Sequence, residues 1–307
     1  MKRLFAYVFV AAFITAAATP ALAGYSRGGG FTAPGYGARA WGMGGAATAI
    51  GADESATYWN PALLSHLGEK KLGFAYVDLV PGASAQQSYL AFAMPLKEGE
   101  LDEPGLEYAQ HSLGAIYGNL SLDLSDGKKY TENSLLIGYS YAPAYFVSIG
   151  ASLGMLFSAG DLDNFDSKGT TFSAGIRVAL TRKLSLGFVA RNMFSKLMFD
   201  SGENISLERA YVLGLGYQLV DQFSLEGDFV SAYGGIARMV IGGEAKFFSE
   251  LLVLRGGLSA LTAGENRSVP HMGIGIHFNR IFIDYNANFD SEEAFENTHR
   301  FSLGIGL

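Results

Sequence analysis

From about residue 70 onward, apolar side chains alternate with small or polar ones along segments of about ten residues, which turn-forming residues separate. A period of two sends successive side chains to opposite faces of a β-strand. A tilted strand of about ten residues is long enough to cross a bilayer. The pattern predicts about fourteen strands. They are expected to begin near Lys71, Gln87, Ser112, Glu132, Tyr145, Thr170, Lys183, Glu208, Gln222, Ala237, Glu250, Ser268, Arg280 and Asn297.

The two faces of these strands differ sharply in polarity. The apolar face of the last predicted strand consists of Phe301, Leu303, Ile305 and Leu307. Its opposite face consists of Arg300, Ser302, Gly304 and Gly306. In the strand before it, Asp284, Asn286 and Asn288 share one face, which is too polar for a protein core but suits a water-lined lumen. The sequence therefore predicts an all-β fold, a transmembrane antiparallel β-barrel of about fourteen strands. A soluble antiparallel sandwich with its polar face in bulk water is the alternative.

The predicted connections alternate in length from the fourth strand onward. Short turns are expected near residues 142–144, 181–182, 220–221, 248–249 and 279. Barrels of the bacterial outer membrane have short periplasmic turns and longer external loops, so both chain ends are predicted to lie in the periplasm. The connection over residues 95–110 breaks the alternation, because it is long and acidic and is predicted to be periplasmic. It is either a real excursion of the chain or the result of a miscounted strand.

The first 23 residues have the features of a secretory signal peptide. Lys2 and Arg3 precede an apolar run of about 15 residues, and the small residues Ala21 and Ala23 precede the expected cleavage site. An uncleaved anchor helix is the alternative, although the run is short for spanning a bilayer. The chain has no cysteine, which excludes both a lipid-anchored N-terminus and a disulfide framework.

Composition and charge narrow the classes of partner. The formal charge is −7, and removal of Lys2 and Arg3 with the signal peptide makes the chain still more acidic, which argues against nucleic-acid binding through a basic surface. Only 17% of the residues are charged, whereas glycine, phenylalanine and tyrosine number 40, 22 and 16. This composition is unusual for a soluble acidic protein and typical of a membrane barrel.

Residues 24–68 have a different character from the rest of the chain. They are rich in glycine and do not alternate as a strand would. A segment of this length is too small to form a stable domain alone, so it must bury its apolar residues against the rest of the protein. A barrel of about fourteen strands has a lumen with room for such a segment. The predicted organisation is a signal peptide at 1–23, a hatch at 24–68 and a barrel at 69–307.

Two runs in this segment resemble a known family. Residues 37–46 (GARAWGMGGA) and 52–62 (ADESATYWNPA) are similar to the N-terminal signature of the PorV/PorQ family, within the FadL-like (OMPP1/FadL/TodX-type) outer-membrane proteins. The residues of this hatch motif are Arg39, Gly42, Gly44, Gly45, Asp53, Trp59, Asn60 and Pro61. The resemblance implies a fourteen-stranded barrel with the segment as a plug inside it. Many relatives carry Asn-Pro-Ala-Gly, whereas this chain has Leu63 in the last position.

The motif residues have positioning roles. The glycines allow close backbone approach and positive φ, and Asn60 before Pro61 is biased toward extended backbone. Arg39, Asp53 and Glu54 are expected to pair with charges that face the lumen, or else to remain solvated. The candidate lumen charges are Arg191, Glu226, Asp228, Glu244, Lys246, Arg255, Asp284 and Arg300.

Motifs that would indicate other chemistry are weak. Residues 42–47 superficially fit a dinucleotide fingerprint, but no strand precedes them and no alternating strand–helix unit follows. The five histidines lack metal-ligand spacing, so neither a cofactor nor a metal is expected. A Ser-His-Asp grouping could form across strands, and His277 is its candidate histidine. A lumen-facing polar residue is the simpler interpretation of His277, and no enzymatic activity is expected.

Two functions follow from the resemblance. The first is transport of hydrophobic small molecules across the outer membrane, with ligand contacts expected at Trp41, Met43, Ile50 and Trp59. The alternative is a PorV/PorQ-like component of a system that secretes proteins and attaches them to the cell surface, acting through its external loops. In both cases the chain would be exported to the outer membrane and would contact its lipids. Its C-terminal strand would be recognised by the outer-membrane assembly machinery.

Overall fold

A computed structural model describes residues 35–79, 85–98, 109–124, 127–161, 165–232, 237–261, 267–289 and 298–307. The predicted signal peptide, 1–23, lies outside these residues, as do residues 24–34 of the predicted hatch. The described chain begins with helix α1 (Ala38–Gly42), helix α2 (Ala56–Trp59) and a 3-10 helix, η1 (Pro61–His66). Of the helices described, none has the length and apolar character needed to cross a membrane.

Fourteen long strands follow the helices. They are β1 (Lys71–Asp78), β2 (Ala85–Glu98), β3 (Ala109–Asp123), β4 (Lys129–Ala144), β5 (Val147–Gly160), β6 (Ser167–Ala179), β7 (Leu184–Phe199), β8 (Ala210–Val220), β9 (Phe223–Ala232), β10 (Ala237–Phe247), β11 (Leu252–Leu261), β12 (Arg267–Phe278), β13 (Ile281–Asn288) and β14 (His299–Gly306). A two-residue strand, Asn204–Ile205, pairs with the end of β7.

These strands form one antiparallel sheet that closes on itself. Each long strand pairs with its neighbours along the chain, and β14 pairs with β1 from Lys71 opposite Gly306 to Asp78 opposite His299. The prediction of a closed antiparallel barrel of fourteen strands is confirmed. Every predicted strand start lies within three residues of the observed one, because the change from turn residues to period-two alternation marks the boundary.

The polar face of the sheet is buried and the apolar face is exposed. Arg300 and Asn286 are 5% and 0% exposed, whereas Phe301 next to Arg300 is 54% exposed. A soluble sandwich would bury the phenylalanine and expose the arginine, so this distribution contradicts the alternative. An exposed belt of large apolar side chains around a polar interior is the arrangement that a lipid environment favours.

Short connections gather at one end of the barrel. Residues 145–146, 180–183, 221–222, 248–251 and 279–280 join successive strands there. Asn279 has φ 55°, which asparagine adopts more readily than most residues.

The predicted long connection at 95–110 begins too early. β2 continues through Pro95 to Glu98, with its pairing shifted on either side of Lys97, and β3 begins at Ala109. Proline cannot donate to a ladder, and a bulge accommodates it without ending the strand. The rest of this connection, 99–108, lies outside the described residues.

Strand β7 is irregular near its middle. Its register against β6 shifts twice, once on each side of the pair Phe172 and Met193. Asn192 and Phe194 have φ values of 55° and 53° in this stretch. The two register shifts are β-bulges, which bend a strand and re-aim its side chains. The bend lies beside Arg191, which faces the interior.

The N-terminal segment, defined here as residues 35–68, packs against the inner face of the barrel. Helix α1 contacts β11–β14, α2 contacts β3–β5 and η1 contacts β2–β6. Glycines in the wall allow this close approach: a methyl group on Gly242 or Gly257 would overlap the backbone of Met43, and one on Gly150 would overlap that of Pro61. The wall and the segment therefore meet backbone to backbone.

Candidate functional site

A glutamate on β9 holds the middle of the N-terminal segment. The Glu226 carboxylate accepts hydrogen bonds from the backbone N–H groups of Thr48 at 2.7 Å, Ala49 at 2.5 Å and Ile50 at 3.3 Å. Glu226 is 1% exposed. Three converging N–H groups stabilise a carboxylate in the same way as an anion site in a turn. The segment is thus attached to the wall through its backbone at residues 48–50.

The next inward residue of β9 makes a second attachment. Asp228 accepts from the Thr48 hydroxyl at 2.7 Å and from the Ala47 N–H at 3.2 Å. Asn60 then ties the same stretch to η1, since its side chain donates to the Thr48 carbonyl at 2.7 Å and accepts from the Ala62 N–H at 3.0 Å. Residues 47–49 are therefore bound on both sides.

Arg39 on α1 anchors the segment to β10, the strand that pairs with β9. Its Nε donates to Glu244 Oε2 at 3.0 Å and its Nη2 donates to Glu244 Oε1 at 3.3 Å, a two-point contact. Its Nη1 donates to the Gly51 carbonyl at 2.8 Å and lies 3.7 Å from Asp53. Two-point pairing fixes the direction of a guanidinium as well as its position. Arg39 thereby joins both ends of the 39–53 loop to strand β10.

The charged contacts continue along the wall from Glu244. Arg255 Nε donates to Glu244 at 2.7 Å, and Arg255 Nη1 donates to Asp284 at 2.5 Å. His277 Nε2 lies 3.1 Å from the same Asp284 oxygen. This row of charges lines a cavity of about 280 Å³ together with Lys71, Lys246 and Glu250, near the end of the barrel with short turns. That end of the lumen is thus polar and strongly charged.

The N-terminal segment also carries a cluster of aromatic side chains. The rings of Trp41 and Trp59 meet edge to face with centroids 5.9 Å apart, and Tyr58 packs against Trp59 at 5.2 Å. Trp59 Nε1 donates to the Tyr36 carbonyl at 2.6 Å, which satisfies the one polar atom of the indole. Tyr36 donates to or accepts from Ser134 at 2.7 Å. The cluster is apolar on its ring faces and satisfied at its polar ends.

The predicted ligand residues divide into two places. Trp41 and Trp59 form the aromatic cluster, whereas Met43 is 1% exposed and packs on Val240 and the wall glycines. Ile50 lines the charged cavity instead. The structure therefore does not bring Met43 and Ile50 to the tryptophans. The backbone of Met43 fills the space that Gly242 and Gly257 leave in the wall.

The predicted lumen charges all lie on the inner face or at its mouth. Lys246 pairs with Glu250 at 2.9 Å at the mouth. Arg191 donates to the Trp59 carbonyl at 2.9 Å, and Arg300 donates to Asn286 and Asn288 at 3.2 and 2.6 Å. Glu54 packs over Gly73 rather than against an arginine.

The sequence analysis did not name one inward arginine that contacts the N-terminal segment. Arg177 on β6 donates to the Ala49 carbonyl at 3.2 Å, to Ser185 at 2.8 Å and to His66 Nε2 at 3.1 Å. Burial and Arg177 hold the pKa of His66 well below its usual range, so His66 is neutral and accepts through Nε2. Arg177 stands between the apolar residues Ile176 and Val178, so the period-two alternation of β6 places it on the polar inner face. This alternation is the signal that could have identified it as an inward charge.

His277 does not form a catalytic grouping. Among the described residues its ring nitrogen contacts Asp284, and no serine hydroxyl is hydrogen-bonded to it. Within the same residues there is no group of three or more metal-ligating side chains. The absence of enzymatic activity stays a prediction.

We expect the packing of the N-terminal segment to weaken as the pH rises from about 4.5 to about 7, because burial and the nearby Asp53 raise the pKa of Glu54 to about 7, against the opposing effect of Lys71. Tyr89 and Asp284 also lie within electrostatic range of Glu54. The docked segment favours the protonated form of Glu54. Its stabilisation is therefore complete below the ordinary pKa of a glutamate and is lost as the pH rises through the raised pKa. A shift of this size corresponds to a few kcal/mol, since one pKa unit is about 1.4 kcal/mol.

Tryptophan emission between pH 4.5 and 8 measures this effect, because both tryptophans lie in the segment. Glu54→Gln should give the low-pH emission at every pH. Asp78→Asn, a change of the same kind at the far end of β1, should leave the transition unchanged. An unaltered transition in Glu54→Gln would assign it to another group.

Comparison with protein-family models and with curated proteins gives no match. Solved structures share the fold. The P. putida toluene transporter TodX superimposes with a TM-score of 0.65 at 15% identity, over 89% of this chain and 99% of its own. The Ralstonia pickettii toluene transporter TbuX gives 0.61 at 14% identity, over 90% and 98%. A FadL homologue of Pseudomonas aeruginosa gives 0.61 at 13% identity, over 89% and 98%. At these identities the similarity establishes the barrel fold of the FadL/TodX type and does not show the PorV/PorQ assignment.

Proposed function

We propose that the protein is an outer-membrane channel for hydrophobic small molecules and that residues 24–68 are its hatch. The observation that carries the proposal is the position of the N-terminal segment, which contacts the inner face of strands on both sides of the lumen. A solute that crosses the barrel must pass this segment. The apolar outer belt and the likeness to toluene transporters support the same interpretation.

The attachment of the hatch suits a part that moves. Its middle, residues 47–50, is held by hydrogen bonds to Glu226, Asp228 and Arg177 and lies on the wall glycines Gly187, Gly214 and Gly216. Exchanging a few such contacts for water costs little compared with unfolding a strand, because water replaces the lost hydrogen bonds. In this proposal the hatch shifts away from β8–β10 and opens a path beside them.

Export and membrane insertion belong to the same proposal. The signal peptide at 1–23 would direct the chain across the inner membrane, and the belt that includes Phe301 would contact outer-membrane lipid. The C-terminal strand β14 ends the barrel and is the proposed element for recognition by the assembly machinery.

A disulfide that ties the hatch to the wall tests the proposal. The chain has no cysteine, and a Cβ placed on Gly216 would lie 3.3 Å from that of Ala49, close to the Cβ spacing of about 3.5–4.5 Å in disulfides. In the double variant Ala49→Cys, Gly216→Cys, oxidation should abolish uptake of labelled toluene in a Gram-negative host that lacks its own hydrocarbon channel. Reduction should restore it.

Each single cysteine variant is the matched control and should transport under both conditions. Uptake that is equal before and after oxidation would contradict movement of the hatch at Ala49. Uptake no greater than in the host without the protein would contradict the transport function itself.

The PorV/PorQ-like role in protein secretion rests on the N-terminal signature alone. Its test is crosslinking in the native cell, where an exported protein captured at the external loops, with no toluene uptake, would favour secretion over transport.

A further inference from the structure

Three inward arginines surround the aromatic cluster without a carboxylate partner. Arg191 on β7, Arg238 on β10 and Arg300 on β14 form no ion pair with any carboxylate among the described residues. Arg39 and Arg255 behave differently, since both pair with Glu244 within 3.0 Å. The lumen therefore contains two kinds of arginine, one kind neutralised and the other not.

Each of the three has a buried donor that is not used. The Nε atoms of Arg191, Arg238 and Arg300 are buried and have no hydrogen-bond partner in the part of the chain that the structure describes. Arg191 and Arg300 are 9% and 5% exposed as whole residues. Buried polar groups are almost always paired, and each exception calls for an explanation, an absent ligand being one.

The aromatic rings connect these arginines. The Arg300 guanidinium lies 4.4 Å from the Trp41 ring centroid, and the Arg191 guanidinium lies 5.0 and 5.1 Å from those of Tyr58 and Trp59. His271 stacks on Trp41 at 5.7 Å. Arg238 lies within electrostatic range of Arg191, Tyr58 and His271. Arg191 and Arg300 thus share one aromatic surface, and Arg238 lies near it.

The neighbouring negative charge is too small to balance the three arginines. Asp228 lies within electrostatic range of Arg191 and Arg238; its Oδ2 accepts from Ala47 and Thr48 of the hatch, and its Oδ1 has no hydrogen-bond partner among the described residues. Three positive charges next to one carboxylate leave an excess of positive charge in a largely buried place. Such an excess is unfavourable unless an anion compensates it.

We propose that Arg191, Arg238, Arg300 and the Trp41–Trp59 pair bind an aromatic carboxylate, with the carboxylate held by the guanidinium groups and the ring packed among the aromatic side chains. This inference rests on the proposed transport function and names its solute class. Guanidinium groups match a carboxylate through paired N–H donors. Edge and face contacts with indole rings favour a planar aromatic body over a flexible chain.

The space beside the site links binding to the hatch. A cavity of about 30 Å³ adjoins Arg191 and Tyr58 and is lined by Leu136, Leu156 and several hydroxyl groups. A space of this size holds about two water molecules, far less than a benzene ring needs. The solute therefore binds by displacing rings of the hatch, Tyr58 and Trp59 among them, and its binding favours the shifted hatch.

Quenching of tryptophan emission in the purified full-length barrel measures binding directly, since Trp41 and Trp59 are the only two tryptophans in the chain. The probes are benzoate, toluene and octanoate. Wild-type protein should bind benzoate at least about tenfold more tightly than toluene or octanoate, the factor expected from one charge-assisted hydrogen bond or one well-placed ring contact.

Arg238→Met is the decisive variant, because Arg238 makes no hydrogen bond among the described contacts and its loss should leave the fold intact. Benzoate affinity should fall about tenfold and toluene affinity less than about twofold. Arg238→Lys should recover part of the benzoate binding. Lys196→Met, which removes one positive charge from the outer face of β7, should change neither. A gel of unboiled protein verifies that each variant is folded.

Equal benzoate affinity in wild type and Arg238→Met would overturn the inference. Tighter binding of octanoate than of benzoate would overturn the aromatic assignment. Toluene uptake by the wild type, together with absent benzoate binding, would refute this inference and leave the proposed function standing. Absence of uptake of both toluene and benzoate would refute the function instead.

Discussion

Gly257→Val is expected to force the N-terminal segment, the proposed hatch, off strands β10 and β11. A Cβ on Gly257 would overlap the carbonyl carbon of Met43 and the nitrogen of Gly44, and backbone atoms cannot rotate away as a side-chain end can. Overpacking of this kind costs about 1–3 kcal/mol or more. The expected result is a lower unfolding temperature of the barrel and, in planar bilayers, a higher conductance than that of the wild type.

Gly256→Val is the matched control for this variant. Gly256 is the next residue on the same strand, it faces outward, and a Cβ there meets nothing within 4 Å. Valine is favourable in strands and on a lipid-facing surface, so stability should be unchanged or slightly higher. Equal conductance of the two variants would show that contact between β11 and the hatch does not close the lumen.

Glu226→Ala is expected to release residues 48–50 from the wall. The variant removes the acceptor of three backbone N–H groups at once. Each buried donor left unsatisfied costs about 1–3 kcal/mol, so the docked hatch should lose several kcal/mol. Hydrogen exchange followed by mass spectrometry should show faster exchange of the peptides that cover residues 44–52, with little change in the barrel strands.

Two further variants test whether the lost hydrogen bonds cause the faster exchange. Glu226→Gln keeps an oxygen that can accept two of the three hydrogen bonds, so its effect should be intermediate. Glu250→Ala removes a glutamate whose described contact is the exposed pair with Lys246, and exchange in the hatch should not change. Slow exchange at residues 48–50 in Glu226→Ala would mean that packing alone holds the segment.

The strands could be predicted because each one carries its own signal. The alternation of Phe301 and Leu303 with Arg300 and Ser302 states which face is apolar without reference to any other strand. Pro95 shows the weakness of this reasoning, since a proline that usually ends a strand is here accommodated by a shift in register. The alternation is a local signal, so a prediction made from it also fails locally, at single residues such as Pro95.

The contacts of the hatch could not be predicted in the same way. Arg39 and Glu244 are 205 positions apart, and neither residue carries a sign of the other. Arg177 and Arg238 carry the same local signal as the arginines that were predicted to face the lumen, but that signal does not show which side chains they meet. Their roles depend on neighbours from strands that are distant in sequence.

The sequence by itself determined the number of strands, the polarity of their two faces and the presence of a segment that is not a strand. It could do so because period-two alternation and glycine content are properties of single stretches of chain. Only the tertiary structure decided that Glu226 binds the backbone at 48–50, that Met43 lies on wall glycines, and that Arg191 and Arg300 lie over the rings of Trp59 and Trp41. The physical reason is closure: joining β14 to β1 sets which inward side chains face the same part of the lumen.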